Sequence, residues 1–361
     1  MKMKKKGILS LFANCMIVDG HIRSIICDLQ RNSYHLIPLS LSNLFVDKRY
    51  IHLAKTFENV SREHHHILNE YFEFLLDNEL VLELSNISEL ENFPTLILNW
   101  NYPSSISNAI IDVSNDYHHD FSLEFTQLED LGCRHLQIRF YRPPAINEME
   151  DISNLLFGNN FISIQCLFPY DIGLIDKIRG IIDSNIKFSS IVLYGAPFNK
   201  IVYDSGGYGK GTILSTMDNI LDESACGCIH HKYFSVNIEN FTESMSYNSC
   251  LNRKIAIDKN GNIKNCPSMQ KSYGHVDNTT ISDVLKNSEF TGIWEINKNT
   301  IEKCKDCEFR YICTDCRAFI DDPLNEYSAP LKCGYDPYKG EWDDWTKNPL
   351  KELTIQYYNL R

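Results

Sequence analysis

Cys304-Lys305-Asp306-Cys307-Glu308-Phe309-Arg310-Tyr311-Ile312-Cys313-Thr314-Asp315-Cys316 is the stretch on which the reading of this chain turns. Its spacing is C-x2-C-x5-C-x2-C, and one more cysteine, Cys333, follows at a distance. Upstream, ten residues and then Gly261 follow Cys250, and four more residues lead to Cys266. Thiolates brought together on tight turns converge on a metal ion or an iron–sulfur cluster, and cysteine is the usual ligand of both. The chain holds 13 cysteines, an odd number. Clustered spacing fits metal ligation in a reducing cytoplasm better than a framework of disulfides.

Composition narrows the classes further. A net charge of −12 argues against broad electrostatic binding to nucleic acid. At 361 residues and 43% hydrophobic content the chain is globular and long enough for two or three cores. Lys2, Lys4, Lys5 and Lys6 precede the apolar run from Ile8 to Val18, which superficially resembles a signal peptide. Asn14 interrupts that run and no small-x-small cleavage site follows, so it reads as a first β-strand. No other segment approaches the ~18–20 apolar residues that cross a bilayer. The expectation is a cytoplasmic protein with neither membrane nor nucleic acid as partner.

Periodicity divides the chain into three regions, an α/β (α+β overall) arrangement. In residues 1–88, Asp19-Gly20 stands between strand-like runs at 14–18 and 21–28, a two-residue hairpin signal. Tyr34–Pro38 reads as a third strand. Ile67, Tyr71 and Leu75, with Leu68, Phe72 and Leu76 beside them, form one apolar helix face. Asp77-Asn78 ends that helix before a strand at 80–84, so the order is that of a small winged-helix domain. In residues 89–235, strands are expected at 95–100, 110–114, 135–141, 161–168 and 189–195. Helices are expected at 121–131, capped by Gly132, and at 146–157 and 172–184. Such alternation argues for βα units on a parallel sheet, a partial barrel with fewer than eight units. Residues 236–361 are loop-rich and carry both cysteine groups.

The order around those groups is specific. Ile257-Asp258-Lys259-Asn260-Gly261-Asn262 makes a hairpin turn leading to Cys266-Pro267, and Gly274-His275-Val276 follows. Thr280-Ile281-Ser282-Asp283-Val284-Leu285 reads as a short helix capped by Ser282, and Phe290 and Trp294 precede the final cysteine run. Over roughly residues 250–335 this order closely resembles the SPASM domain, the C-terminal extension of peptide-modifying radical S-adenosylmethionine enzymes. The resemblance implies two auxiliary [4Fe–4S] clusters, with four tetrahedral thiolates around zinc as the alternative. By position, Cys304, Cys307, Cys313 and Cys333 would hold one cluster. Cys250, Cys266 and Cys316 would hold the other, with Cys228 as the fourth ligand and Cys226 as its rival. The family usually places three residues between the last two cysteines of the run, whereas only Thr314-Asp315 stands here.

Radical S-adenosylmethionine enzymes also need C-x3-C-x2-C after the first barrel strand, and this chain has no such triplet. The loop expected to hold it, Asn101-Tyr102-Pro103-Ser104-Ser105, contains no thiol. Arg139-Phe140-Tyr141-Arg142-Pro143 stands where the glycine-rich acidic sequence that contacts the cofactor would be. The chain is therefore expected not to cleave S-adenosylmethionine, and the sequence assigns no catalytic residue. Its N-terminal region resembles the winged-helix-like recognition domain of ribosomal-peptide maturases, in which a precursor's leader adds a strand to the third strand. The matching positions are Tyr34, His35, Leu36 and Ile37.

The whole resembles the SPASM-domain maturase of grasp-with-spasm systems. That resemblance implies a partner of a precursor peptide and an ATP-grasp ligase. The alternatives are an active iron–sulfur oxidoreductase acting on peptide and a zinc-stabilised interaction module. Other signals carry less. Gly206–Thr212 lacks the spacing of a phosphate loop. His64-His65-His66 points around a helix start rather than at one ion. Cys15, Cys27, Cys133 and Cys166 read as buried core thiols.

Overall fold

A computed structural model describes residues 6–206 and 211–360. The glycine-rich segment at 206–212 falls partly outside the described residues, as do Lys2, Lys4 and Lys5.

The N-terminal region forms two small antiparallel sheets. β1 (Ile8–Leu11) is central in one, flanked by β5 (Tyr50–His52) and β6 (Val81–Leu84). The other has the order β2 (Cys15–Asp19), β3 (Arg23–Asp28), β4 (Ser33–Pro38). The apolar run that reads as one strand is thus two strands in different sheets. Two short helices, α1 (Leu39–Ser42) and α2 (Leu53–Asn59), precede the longer α3 (His65–Asp77). Leu68, Phe72 and Leu75 of α3 pack with Leu9, Cys15, Ile26 and Ile37 in one core. The β2–β3 connection is wider than the expected Asp19-Gly20 pair. Asp19 already faces Ser24, and the Gly20 N–H donates to the Arg23 carbonyl at 2.8 Å. The reason lies outside the hairpin: its tip is docked, with the His21 N–H donating to the Asp306 carbonyl at 2.8 Å.

β3 is buried along almost its whole length, because both faces of its sheet are covered. Ile26 faces α3, while Val18, Ile25 and Cys27 pack with Val236, Phe241, Phe309, Ile312 and Tyr335 of the cysteine-bearing region. Alternation along a strand sends neighbouring side chains to opposite faces, so one short sheet serves two cores.

The middle of the molecule is an eight-stranded, mostly parallel sheet. β7 (Asn108–Val113), β8 (His135–Phe140), β9 (Ser163–Pro169) and β10 (Phe188–Tyr194) lie side by side. They are joined through α4 (Phe121–Asp130), α5 (Ile146–Phe157) and α6 (Ile175–Ser184). The full order is β11 (Lys200–Asp204), β12 (Thr212–Ser215), β10, β9, β8, β7, β13 (Lys254–Ile257), β14 (Ile263–Lys264). β13 runs parallel to β7, and β14 returns antiparallel through the expected turn at Gly261, whose φ is +79°. The helix after it, Ile281–Leu285, is capped by Thr280 rather than Ser282.

One expected strand is missing. Residues 95–100 form no strand, and Ile97 is 84% exposed with no neighbouring chain to pair with. The first parallel strand is β7, so the loop after it is Ser114–Asp120 rather than Asn101–Ser105. It too contains no cysteine.

Helices cover one face of this sheet, where Ile111, Ile138, Cys166 and Ile191 form the core. The opposite face is mixed, with Ile110, Leu167 and Val192 set among polar side chains. Gln137 donates to Gln165, which donates to Ser190 at 3.0 Å, a ladder across three strands. Beside it the Arg139 guanidinium grips Asp112 through two bonds of 2.6 and 2.7 Å, and the Tyr141 hydroxyl donates to the same carboxylate at 3.0 Å. Arg139 and Asp112 are 6% and 1% exposed. Removing one partner of a buried pair strands the other charge, so Arg139→Met is expected to cost about 3–5 kcal/mol. Asp112→Leu/Arg139→Met should recover most of it in urea denaturation.

Candidate metal centres

Most of the cysteines from Cys226 onward stand in turns or at strand ends. Cys304 opens a 3-10 turn, and the Cys307 N–H donates back to its carbonyl at 3.0 Å. The Cys313 N–H donates to the Phe309 carbonyl at 3.1 Å, curling the run onto itself. Cys333 arrives on a short bridge to Ile229. Cys304, Cys307, Cys313 and Cys333 together line a cavity of about 30 Å³, walled by Ile229, Phe234, Phe309 and Trp342. Three of them, Cys304, Cys307 and Cys333, also floor a larger cavity of about 660 Å³ beside Tyr335, Tyr338 and Trp345.

The other group lines a separate cavity of about 290 Å³. Cys266 follows β14 directly, and Cys250 is held where its N–H donates to Asn248 Oδ1 at 3.0 Å. Asn248 in turn donates to Asp315 Oδ2 at 2.8 Å. Thr314-Asp315 is therefore the crossing point: Cys313 belongs to one cavity and Cys316, three positions later, to the other. The two-residue spacing is enough to make that crossing. Both Cys226 and Cys228 line the larger of these two cysteine cavities, joined by Gly227 with φ of +88°. A Cβ at Gly227 would stand 2.7 Å from Cys316 Sγ, so the close approach of backbone to sulfur requires glycine.

The two rivals differ in their neighbours. Cys226 is among the charges that raise the pKa of Cys250, Cys266 and Cys316, and Cys228 is not among them. Cys228 instead feels burial and Lys332. Cys226 is thus the one felt electrostatically by Cys250, Cys266 and Cys316, while both Cys226 and Cys228 line the cavity and both are exposed. Among the described residues, no three His, Cys, Asp or Glu donors already stand within reach of a single ion. The remaining thiols, Cys15, Cys27, Cys133 and Cys166, are buried in the apolar cores as expected.

Cations surround both groups. Lys254 Nζ donates to Cys250 Sγ at 3.6 Å. Lys332, 6% exposed, donates to the carbonyls of Ser224 and Cys226. Lys298, 3% exposed, donates to the carbonyls of Cys313 and Thr314 at 2.5 and 2.9 Å. Lys351 reaches the carbonyls of Leu331 and Cys333 at 2.7 and 2.9 Å and pairs with Asp321.

The Cys304–Cys313 loop is also the surface on which the N-terminal sheet docks. Glu308, fully buried, accepts from Arg23 Nε at 2.6 Å and from the Tyr335 hydroxyl at 2.5 Å. Arg310 donates to the Asp19 carbonyl at 2.6 Å. Of the four residues expected to meet a peptide, Tyr34 packs on Phe309 and Phe234, with ring centroids 5.7 and 6.0 Å apart. His35 packs on Phe74 of α3, Ile37 is buried, and Leu36 alone is well exposed, at 48%. β4 pairs with β3 along one edge, and no strand pairs with its other edge among the described residues.

In the loop after β7, His119 Nδ1 meets Glu124 Oε1 at 2.9 Å and Nε2 meets the Asp112 carbonyl at 2.9 Å, all buried. Burial raises the Glu124 pKa, with His119 opposing. The lysines, the Glu308 clamp and this pair were not found from the sequence. Their partners lie far apart along the chain or carry no motif.

No protein family, curated protein or solved structure matches this chain, so the chemistry of the site rests on its own residues.

Burial pushes the Cys266 and Cys333 thiols from 9.0 up to about 11, with neighbouring cysteines adding to the rise. Raised thiol pKa values stabilise the metal-free fold below pH 9, and that contribution is lost as pH rises through 11. The metal-free protein should therefore lose melting temperature between pH 9 and 11. Cys266→Ala/Cys333→Ala should lose less over the same range.

Proposed function

We propose that this chain is a SPASM-type maturation factor for a ribosomally made peptide. It binds the precursor, acts beside an ATP-grasp ligase, and carries two cysteine-ligated [4Fe–4S] clusters without cleaving S-adenosylmethionine. The observation that carries this reading is the sorting of the C-terminal cysteines into two separate cavities, each lined by at least four thiols. An all-thiolate donor set fits such clusters, and it would also fit zinc. Cys304, Cys307, Cys313 and Cys333 would hold one group, and Cys250, Cys266, Cys316 and Cys226 the other. When bound, such a group supplies structural cross-links and one-electron chemistry. The chain's part is to gather the thiols and exclude water around them.

The absence of S-adenosylmethionine cleavage is supported by the Ser114–Asp120 loop, which has no thiol and is tied down by the His119–Glu124 contact. Peptide binding is supported by the free edge of β4 beside α3, where main-chain pairing would supply affinity and the exposed Leu36 a side-chain contact. Free, unpaired thiols support a reducing, cytoplasmic location. Among the described residues no helix is long and apolar enough to cross a membrane.

Two experiments test this reading. Anaerobically reconstituted protein should hold iron and sulfide for two clusters. Cys226→Ser should lose about half of that iron, while Cys228→Ser keeps nearly all. Zinc without sulfide in place of iron would favour the interaction module, and cleavage of S-adenosylmethionine would refute the reading. In fluorescence anisotropy with a labelled precursor peptide encoded beside this chain, Leu36→Glu should weaken binding about tenfold, and unchanged affinity would refute the edge-strand mode.

A further inference from the structure

A lysine almost never lies buried without an opposing charge, because taking an ammonium from water costs several kcal/mol after relaxation (roughly). Lys298 and Lys332 are 3% and 6% exposed, and Lys254 is half-buried. None of the three has a carboxylate at ion-pair distance among the described residues. Their bonds go instead to carbonyls of the cysteine-bearing turns and, for Lys254, to Cys250 Sγ itself. Carboxylates exist nearby but are engaged elsewhere. Asp315 is taken by Arg317 and Asn248, Glu243 by Asn252, and Asp222 by the Ser224 N–H. The charges that remain to face these ammonium groups are the thiols.

Four thiolates around a [4Fe–4S] core, or around zinc, leave a site with a charge of about −2. We propose that Lys254, Lys298 and Lys332 are the built-in counter-charges of two anionic metal–thiolate sites, shared unequally between them. The inference rests on the reading of the cysteines as cluster ligands and adds which cluster reduces first. Lys254 and Lys332 both serve the cavity of Cys226, Cys250, Cys266 and Cys316. Lys298 serves the other, where the second ammonium, Lys351, is already neutralised by Asp321 at 3.0 Å. Reduction adds one negative charge to a cluster, and nearby cations and hydrogen bonds to sulfur favour it. The site with two unshared ammonium groups and an N–H···S contact is therefore the one of higher potential.

The test is a redox titration of the anaerobically reconstituted full-length protein, followed by electron paramagnetic resonance. Two midpoints are expected, and loss of the higher one in Cys250→Ser assigns it to the first site. Lys254→Met and Lys332→Met should each move the higher midpoint to more negative potential and leave the lower unchanged. Lys298→Met should move only the lower. Lys254→Arg, which keeps the charge, should restore the wild-type midpoint and guards against a merely structural effect. Should a Lys→Met variant not fold, Lys→Gln, with the same readout, takes its place. Two clusters whose midpoints ignore these substitutions would overturn the inference while leaving the cluster reading intact. A wild-type protein that takes up no iron would overturn the cluster reading itself.

Discussion

The carboxylate of Glu308 joins the parts of this molecule that sequence periodicity separates. It sits between Cys307 and Phe309, is fully buried, and accepts from Arg23 on one side and Tyr335 on the other. Arg23 opens β3, so the hairpin of the N-terminal sheet and the turn that carries two thiols share one charge. Around this clamp Phe309 packs on Tyr34 and Tyr335, and Arg310 reaches back to the hairpin. Glu308 is the buried partner and Arg23 is partly exposed, so the pair adds little net stability against an apolar replacement, yet removing Arg23 would leave a buried charge unpaired. Its effect is on position: β3 and β4 cannot shift without disturbing the loop of Cys304–Cys313.

The same loop region has little apolar mass of its own. Its core residues, Phe309 and Ile312 among them, belong to a cluster completed by Val18, Ile25 and Cys27 of the N-terminal sheet. The other cysteine group leans on a small cluster of Leu251, Phe319 and Leu331. In such a region metal ligation, as proposed above, would contribute folding free energy directly, since the ligands come together only in the folded chain. The buried lysines extend this point, because they are costly in a fold that holds no anionic centre beside them. Metal chemistry, loop order and the placement of β4 are on this account parts of one arrangement.

Much of this was legible in the sequence, for local reasons. The periodicity of Leu68, Phe72 and Leu75 marked α3, and the strands expected at 135–141 and 189–195 lie within a residue of β8 and β10. Cysteine spacing marked thiols that line two cavities, Cys304, Cys307, Cys313 and Cys333 at one and Cys250, Cys266 and Cys316 at the other. Failure came where distance along the chain decided the outcome. Residues 95–100 have strand-like composition but no partner, and β13 and β14 read as loop yet extend the central sheet beyond β7. The β2–β3 turn took a wider form because Asp306 and Glu308, nearly 300 positions away, hold its tip. Spacing leaves Cys226 and Cys228 equivalent, and both line the cavity of Cys250, Cys266 and Cys316 on either side of Gly227. The lysines carry no motif at all, and only their burial beside sulfur gives them meaning.

The most direct test of this coupling is hydrogen exchange across β2–β4 in metal-free and reconstituted protein. If metal at Cys304, Cys307, Cys313 and Cys333 orders the loop that clamps Arg23, the amides of Arg23–Asp28 and Ser33–Pro38 should exchange at least tenfold more slowly after loading. That slowing should be lost in Glu308→Gln. Identical exchange in the two states would contradict the account, leaving the N-terminal sheet and the cysteine sites as neighbours that fold independently.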